Sequence, residues 1–367
     1  MSSTGSSSTL LLGTRKGLLT FRARGSGGSD RWELDTVAFS GQPVSFAFRD
    51  ARTGATWAAI DHGHWGQKLH RSTDGVTWDA IPVPAYPEGA EAKPGVPAKL
   101  EYIWCLAAGS ARSPGRIYAG TNPGGLFVTD DPSGGFTLVE SLWNHPSRPD
   151  NWFGGGRDTP GIHSIWEDPR DPKRVLVAVS CAGIFETLDG GATWAPRNKG
   201  LRATFLPDPN VEVGHDPHLL AVCAGSPDVM WQQNHCGIWR STDGAASWTE
   251  VGQKGGPAHF GFPIVAHDTD PEVAWVVPAE SDERRIAVGG ALLVCRTTDG
   301  GKSWEPLRRG LPQTAAFDVV YRHAFDRSGA TLAFGSTTGN VYLSEDDGEA
   351  WTPLGHHLPP VYSARFA

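Results

Sequence analysis

Histidine titrates near neutral pH and is a common ligand of transition metals, so its distribution is the first chemical signal in a chain of this length. Of thirteen histidines in 367 residues, eight fall in short polar segments between apolar runs. His62 and His64 lie in Asp61-His62-Gly63-His64-Trp65, and His145 and His163 flank the Gly-rich stretch Asn151 to Arg157. His215 and His218 form Gly214-His215-Asp216-Pro217-His218. His235 lies in Gln233-Asn234-His235-Cys236, and His259 in Ala258-His259-Phe260-Gly261. The His-Asp-Pro-His spacing is short enough for a ligand pair, although no His-Glu-x-x-His zinc signature occurs.

The expectation is a pocket in which His163, His215, His218 and His235 act as acid–base groups or hold one divalent transition metal: zinc, copper, iron or manganese. Glu101 and Tyr102 are added as catalytic candidates. Arg15, Lys16, His62, His64, Trp65, Trp104, Trp152, Asn234 and His259 are added as substrate contacts, since Trp and Tyr faces can stack on sugar rings. A glycosidase would need two carboxylates across the pocket, and Asp61, Glu101, Asp216, Glu280 and Asp318 are the candidates. Cys236, beside His235, reads as a packed rather than a reactive thiol.

Those residues have to be positioned by something, and the chain supplies a repeat. Ser/Thr-x-Asp followed by Gly and Trp occurs at Thr187–Trp194, Ser241–Trp248, Thr297–Trp304 and Ser344–Trp351. A version one residue shorter runs from Ser72 to Trp78, and a version ending in Phe from Thr129 to Phe136. The aspartates Asp74, Asp131, Asp189, Asp243, Asp299 and Asp346 are 57, 58, 54, 56 and 47 residues apart, a period that signals a repeat architecture. Asp-Gly between two strand-like runs predicts a hairpin turn, with the carboxylate accepting turn N–H groups. Six copies of one active site are implausible, so the aspartates read as structural.

Each repeat parses into four strands, a to d, with the Asp turn joining c to d. The a strands are predicted at Val44–Arg49, Tyr102–Ala107, Ser164–Glu167, Leu219–Cys223, Pro263–Ala266 and Val319–Arg322. The b strands are predicted at Trp57–Ile60, Ile117–Gly120, Val175–Val179, Val229–Gln233, Ala274–Val277 and Leu332–Gly335. Three N-terminal strands, Leu10–Gly13, Leu18–Arg22 and Trp32–Asp35, lack a fourth, which the C-terminal residues 360–366 supply. The prediction is all-β: a seven-bladed β-propeller forming one domain over residues 1–367, its first blade closed by the last strand and residues 1–9 unstructured. The b-to-c and d-to-a loops, which carry the histidines, then share one face and the Asp turns the other.

Composition narrows the function classes. With 46 Gly, 28 Pro and 15 Trp the chain suits many short strands and turns. A net charge of −8 and no basic run argue against nucleic acid as a partner. Five cysteines without paired spacing fit a reducing compartment, and the apolar run Leu10–Leu12 is too short for a membrane span. A cytoplasmic protein without membrane attachment is expected.

The Ser/Thr-x-Asp-x-Gly-x-x-Trp repeats resemble the Asp boxes, or BNR repeats, of sialidase-like propellers, and the resemblance covers nearly the whole chain. The chain is most similar to bacterial BNR/YVTN-like propellers labelled exo-α-sialidase by similarity. The Phe/Tyr-Arg-Ile-Pro motif that sialidases share does not occur, nor does an evident arginine triad for a substrate carboxylate. The resemblance therefore implies a divergent hydrolase or lyase, metal-dependent or not, acting on a small or saccharide-like ligand. A glycosidase of the sialidase type using paired carboxylates and a non-catalytic scaffold with a protein partner are the alternatives, since one fold hosts all three.

Overall fold

The computed structural model describes residues 7–25, 31–355 and 357–367. Among them the backbone forms seven four-stranded sheets and a two-stranded ribbon, Glu91–Lys93 with Val96–Pro97. The protein is a seven-bladed β-propeller. Within a blade the strands run in sequence order and pair antiparallel, as in Ile162–Asp168, Asp171–Val179, Gly183–Thr187 and Ala195–Pro196. The first sheet is the exception in connectivity. Its order is Trp32–Ala38, Gly17–Ala23, Thr9–Thr14, Val361–Phe366, with Leu10 opposite Phe366 and Leu12 opposite Ala364.

The chain divides into two compact units. The first comprises Met1–Arg49, His218–Gly244 and Thr249–Ala367; the second comprises Asp50–Pro217 and Ala245–Trp248. The core of the first is built from Leu10, Leu12, Trp275, Phe325, Phe334 and Trp351, among others, and that of the second from Tyr118, Trp152, Ile162, Val177 and Phe185. Fully burying one such side chain is worth about 1.5–3 kcal/mol, so these short strands are held by packing between sheets more than by their few ladder bonds.

The Ser/Thr-x-Asp turns are polar clusters built largely from their own hydroxyl and carboxylate. Thr187 Oγ1 donates to Asp189 Oδ1 at 2.7 Å and accepts Gly191 N–H at 2.9 Å, while Asp189 Oδ1 accepts Thr193 N–H at 2.9 Å. Thr297, Asp299, Gly301 and Ser303 repeat the set with distances of 2.9 Å throughout. Gly190 and Gly191 take φ of 78° and 96°, a region in which a Cβ is strained. The Thr193 hydroxyl and amide hold the Asp189 carboxyl well below its ordinary range, and Ser303 likewise holds Asp299 down at about 2. Three of the closing tryptophans reach back one repeat: Trp304 Nε1 donates to Val251 O at 2.8 Å, Trp248 Nε1 to Arg197 O at 2.8 Å, and Trp194 Nε1 to Ser141 Oγ at 3.2 Å.

Two expectations are revised. The last repeat begins at Phe325–Ser328, which pairs with Thr331–Gly335, rather than at Val319–Arg322. Val319 and Val320 are buried without joining a ladder; Thr337 N–H donates to the Val319 carbonyl and fastens the segment as a loop. Apolar content alone mimicked a strand there. Of the lead-in expected over residues 1–9, residues 1–6 lie outside the described residues; Ser7 Oγ donates to Thr9 O, and Thr9 already starts the first strand.

Candidate functional site

The loop histidines are held differently in the two units. In the first unit, His218 stands in the strand Pro217–Val222, and His235 in the two-residue turn between Met230–Asn234 and Gly237–Ser241. Asn234 makes that turn: its Oδ1 accepts Cys236 N–H at 3.0 Å and its Nδ2 donates to Gln232 Oε1 at 3.1 Å. Gly237 completes it at φ 132°, with His259 so near that a Cβ would lie 3.2 Å from its ring. The turn presents His235 toward His218, ring centroids 5.9 Å apart.

Aromatic side chains frame that pair. His218 stacks on Phe262 at 4.7 Å and meets the edge of Phe260, which also packs against His235 at 5.8 Å. His218 Nδ1 donates to Gly261 O at 2.6 Å, and His235 Nε2 lies 3.5 Å from Asp282 Oδ2. The Arg285 and Arg322 guanidiniums lie 5.6 and 5.5 Å from the Phe262 ring centre. Phe260 and Phe262 are two residues apart at the start of the strand Gly261–Ala266, so strand alternation sends both toward the histidines. Phe262, Asp282 and Arg322 were not singled out from the sequence; alternation in Phe260-Gly261-Phe262 was the usable signal.

In the second unit, Tyr102 and Trp104 lie in the strand Tyr102–Ala108, whose register against Ile117–Asn122 shifts between Ile103 and Cys105. Their rings meet edge-on at 6.2 Å, the Arg157 guanidinium covers both at 4.3 and 5.5 Å, and Trp104 packs on His163 at 5.7 Å. Gln67 Nε2 donates to Asp61 Oδ1 at 2.6 Å and to the Glu101 carbonyl at 2.8 Å. That one amide ties the Asp61 loop to the residue before Tyr102. His62 caps its own turn, Nδ1 accepting Trp65 N–H at 3.0 Å, and Trp65 projects from it 68% exposed with His64 against its face at 4.5 Å.

Other expected site residues have local roles. Trp152 is buried in the core against Phe185, with Nε1 donating to Ser147 Oγ, so it offers no face to a ligand. His163 is fully buried and shares a hydrogen bond with Ser164 Oγ at 3.0 Å. His215 Nε2 donates to Val211 O at 2.7 Å, and burial pushes its pKa down, keeping the imidazole neutral. Asp216 accepts from Ser180 Oγ and Cys181 N–H. His259 is half-buried, and burial lowers its pKa too. Arg15 and Lys16 form an exposed two-residue hairpin turn, Arg15 N–H donating to Pro360 O. Of the four histidines expected at a metal, the structure brings His218 and His235 together.

Comparison with known proteins adds a class of relatives. The chain is 25% identical over 289 residues to the xyloglucanase Xgh74A of Acetivibrio thermocellus and 24% identical over 340 residues to a xyloglucanase of a Paenibacillus species. These matches cover 71% and 79% of this chain but 33% and 30% of those enzymes, so the chain spans about a third of the length of the curated relatives it matches. Among solved structures, the GH74 xyloglucanase of Xanthomonas campestris superposes with a TM-score of 0.63 at 16% identity, covering 95% of this chain and 53% of that one, which is a likeness of fold. No family model matches the chain. The chain is a seven-bladed propeller whose sequence relatives include saccharide-acting hydrolases.

Proposed function

We propose that the protein hydrolyses a saccharide bound against the Tyr102–Trp104 face, with Asp61 and Glu101 as its working carboxylates. The observation that carries this reading is the Gln67 amide, which joins the Asp61 side chain to the Glu101 backbone beside the half-buried pair Tyr102 and Trp104. Sugar rings have apolar C–H faces that suit such a platform, and Arg157 stiffens it from one side. Sequence similarity to xyloglucanases supports a saccharide as the substrate class.

Glycosidic bond hydrolysis needs one group to protonate the leaving oxygen and another to take a proton from water or to attack the anomeric carbon. Asp61, oriented by the Gln67 amide, suits the second role. Glu101, exposed ahead of the platform strand, suits the first. Trp65 is available as an outer sugar contact. The sialidase-like kinship implied by the Ser/Thr-x-Asp repeats fits the same reading, because the chemistry rests on paired carboxylates and needs no arginine triad.

Reducing-end release from xyloglucan and other β-glucans tests it. Glu101→Gln and Asp61→Asn should each lower kcat by about 10²–10⁴-fold, the usual worth of general acid–base catalysis. Tyr102→Ala should act mainly on KM. Wild-type rates in both carboxylate variants would remove the proposal, and an unsaturated product in place of a reducing end would reassign the site to elimination.

A further inference from the structure

We propose that His218 and His235 form a binding site for a divalent transition metal, with Asp282 as the carboxylate that orients it. This goes beyond the saccharide reading and does not depend on it, since every residue concerned lies in the first unit. A ligand nitrogen of His218 and one of His235 lie within 4.8 Å of each other, so the two rings face one another across a gap on the scale of a shared ion.

The surroundings of the two rings match what a metal-binding imidazole needs. Such a histidine donates its other N–H to a carbonyl or carboxylate, which fixes the tautomer and raises the basicity of the ligating nitrogen. His218 Nδ1 donates to the Gly261 carbonyl at 2.6 Å, so the lone pair of its neutral ring resides on Nε2. His235 has Asp282 Oδ2 at 3.5 Å from Nε2, within ion-pair range. Each ring thus has an oxygen beside one nitrogen, a carbonyl at hydrogen-bond distance for His218 and a carboxylate at ion-pair distance for His235.

Phe260 and Phe262 supply the rest. They hold both imidazoles edge-on or stacked, so the rings lose little freedom when an ion arrives, and they keep water from that side. Imidazole nitrogens favour zinc, copper and nickel over magnesium or calcium, which prefer oxygen cages. Two protein nitrogens leave coordination positions for water or a ligand. His235 is about a quarter exposed, which gives an ion an entry path.

Chelator-treated protein titrated with Zn²⁺ by calorimetry and with Co²⁺ by visible absorption tests the site. One equivalent of each is expected, with a cobalt d–d band. His235→Ala should weaken binding at least 100-fold, and Asp282→Asn about 10–100-fold, the usual effect of losing an orienting partner. His218 is buried, so loss of binding in His218→Ala counts only if the thermal melt is unchanged; His235 and Asp282 are exposed enough to be replaced without that complication. Binding of neither ion, or equal affinity in wild type and His235→Ala, overturns the proposal. Hydrolysis that persists in His235→Ala leaves the saccharide reading standing, and metal binding that persists in Glu101→Gln leaves this one standing.

Discussion

Strand Gly237–Ser241 has one end in the Asp243 turn and the other in the His235 turn, and the two ends are built on opposite rules. At the Asp243 end, Ser241 Oγ donates to the carboxylate at 2.8 Å, the bond that Ser72, Thr187, Thr297 and Ser344 also make to their own aspartates. At the His235 end the turn is closed by Asn234, and its neighbours are Phe260 and Asp282, brought in from later in the chain. The corresponding Asp61 turn uses His62 and Gln67, and the Ser336 turn uses Thr338, Asn340 and Asp318. Repetition at one end fixes geometry; at the other, the absence of repetition leaves each loop free to carry its own chemistry.

That contrast can be broken or sharpened by substitution. The largest effect should fall at the divergent end: Glu101→Gln loses about 10²–10⁴-fold in kcat while its melting temperature stays put, because Glu101 is exposed and its structural link is a backbone carbonyl. Trp304→Ala should do the reverse. It removes a buried indole and its bond to Val251, at a cost of about 3–5 kcal/mol read by denaturant unfolding. Thr297→Val should cost less, about 1–3 kcal/mol, because it strands the buried Gly301 N–H and one donor to Asp299. A repeat-turn variant that lost turnover at unchanged stability would break the comparison.

The smallest effects concern pH. Burial lowers the pKa of His145, His215 and His267 in the folded chain. Below about pH 6.5 the unfolded chain takes up protons that these rings resist, so stability should be level above that pH and fall beneath it. Asp299 works in a lower window: held at about 2 by Ser303, its contribution is intact above its unfolded value near 4 and fades as pH drops toward 2. Melting curves from pH 8 to 3 check both, with His215→Gln flattening the upper slope and Asp299→Asn the lower.

The sequence disclosed whatever was local. In five of the Ser/Thr-x-Asp turns the hydroxyl bonds the aspartate two residues on, so the motif, its structural role and the blade count followed from spacing. Unpaired strands at the two ends implied the closing strand, because an open edge is a liability. Contacts spanning a repeat were not legible. His218 meets Gly261 43 residues away, and no periodicity announces that pairing. Trp152 read as a stacking face because exposure is decided by Phe185, and Val319–Arg322 read as a strand because apolar runs do not reveal whether their carbonyls enter a ladder.

The pairing of Leu10 with Phe366 and of Leu12 with Ala364 also sets a schedule. On the ribosome, where chain emerges at roughly 5–20 residues per second, the strand Thr9–Thr14 appears long before its partner Val361–Phe366. Through that interval the early strand, buried at every position in the finished protein, waits with one edge unpaired, open to any other extended chain. The first sheet is therefore completed after the six other blades, and the step that completes it must bring together residues that lie six blades apart in sequence. Such a closure is slow by its topology, and a nascent chain is most in need of chaperone cover until it has happened.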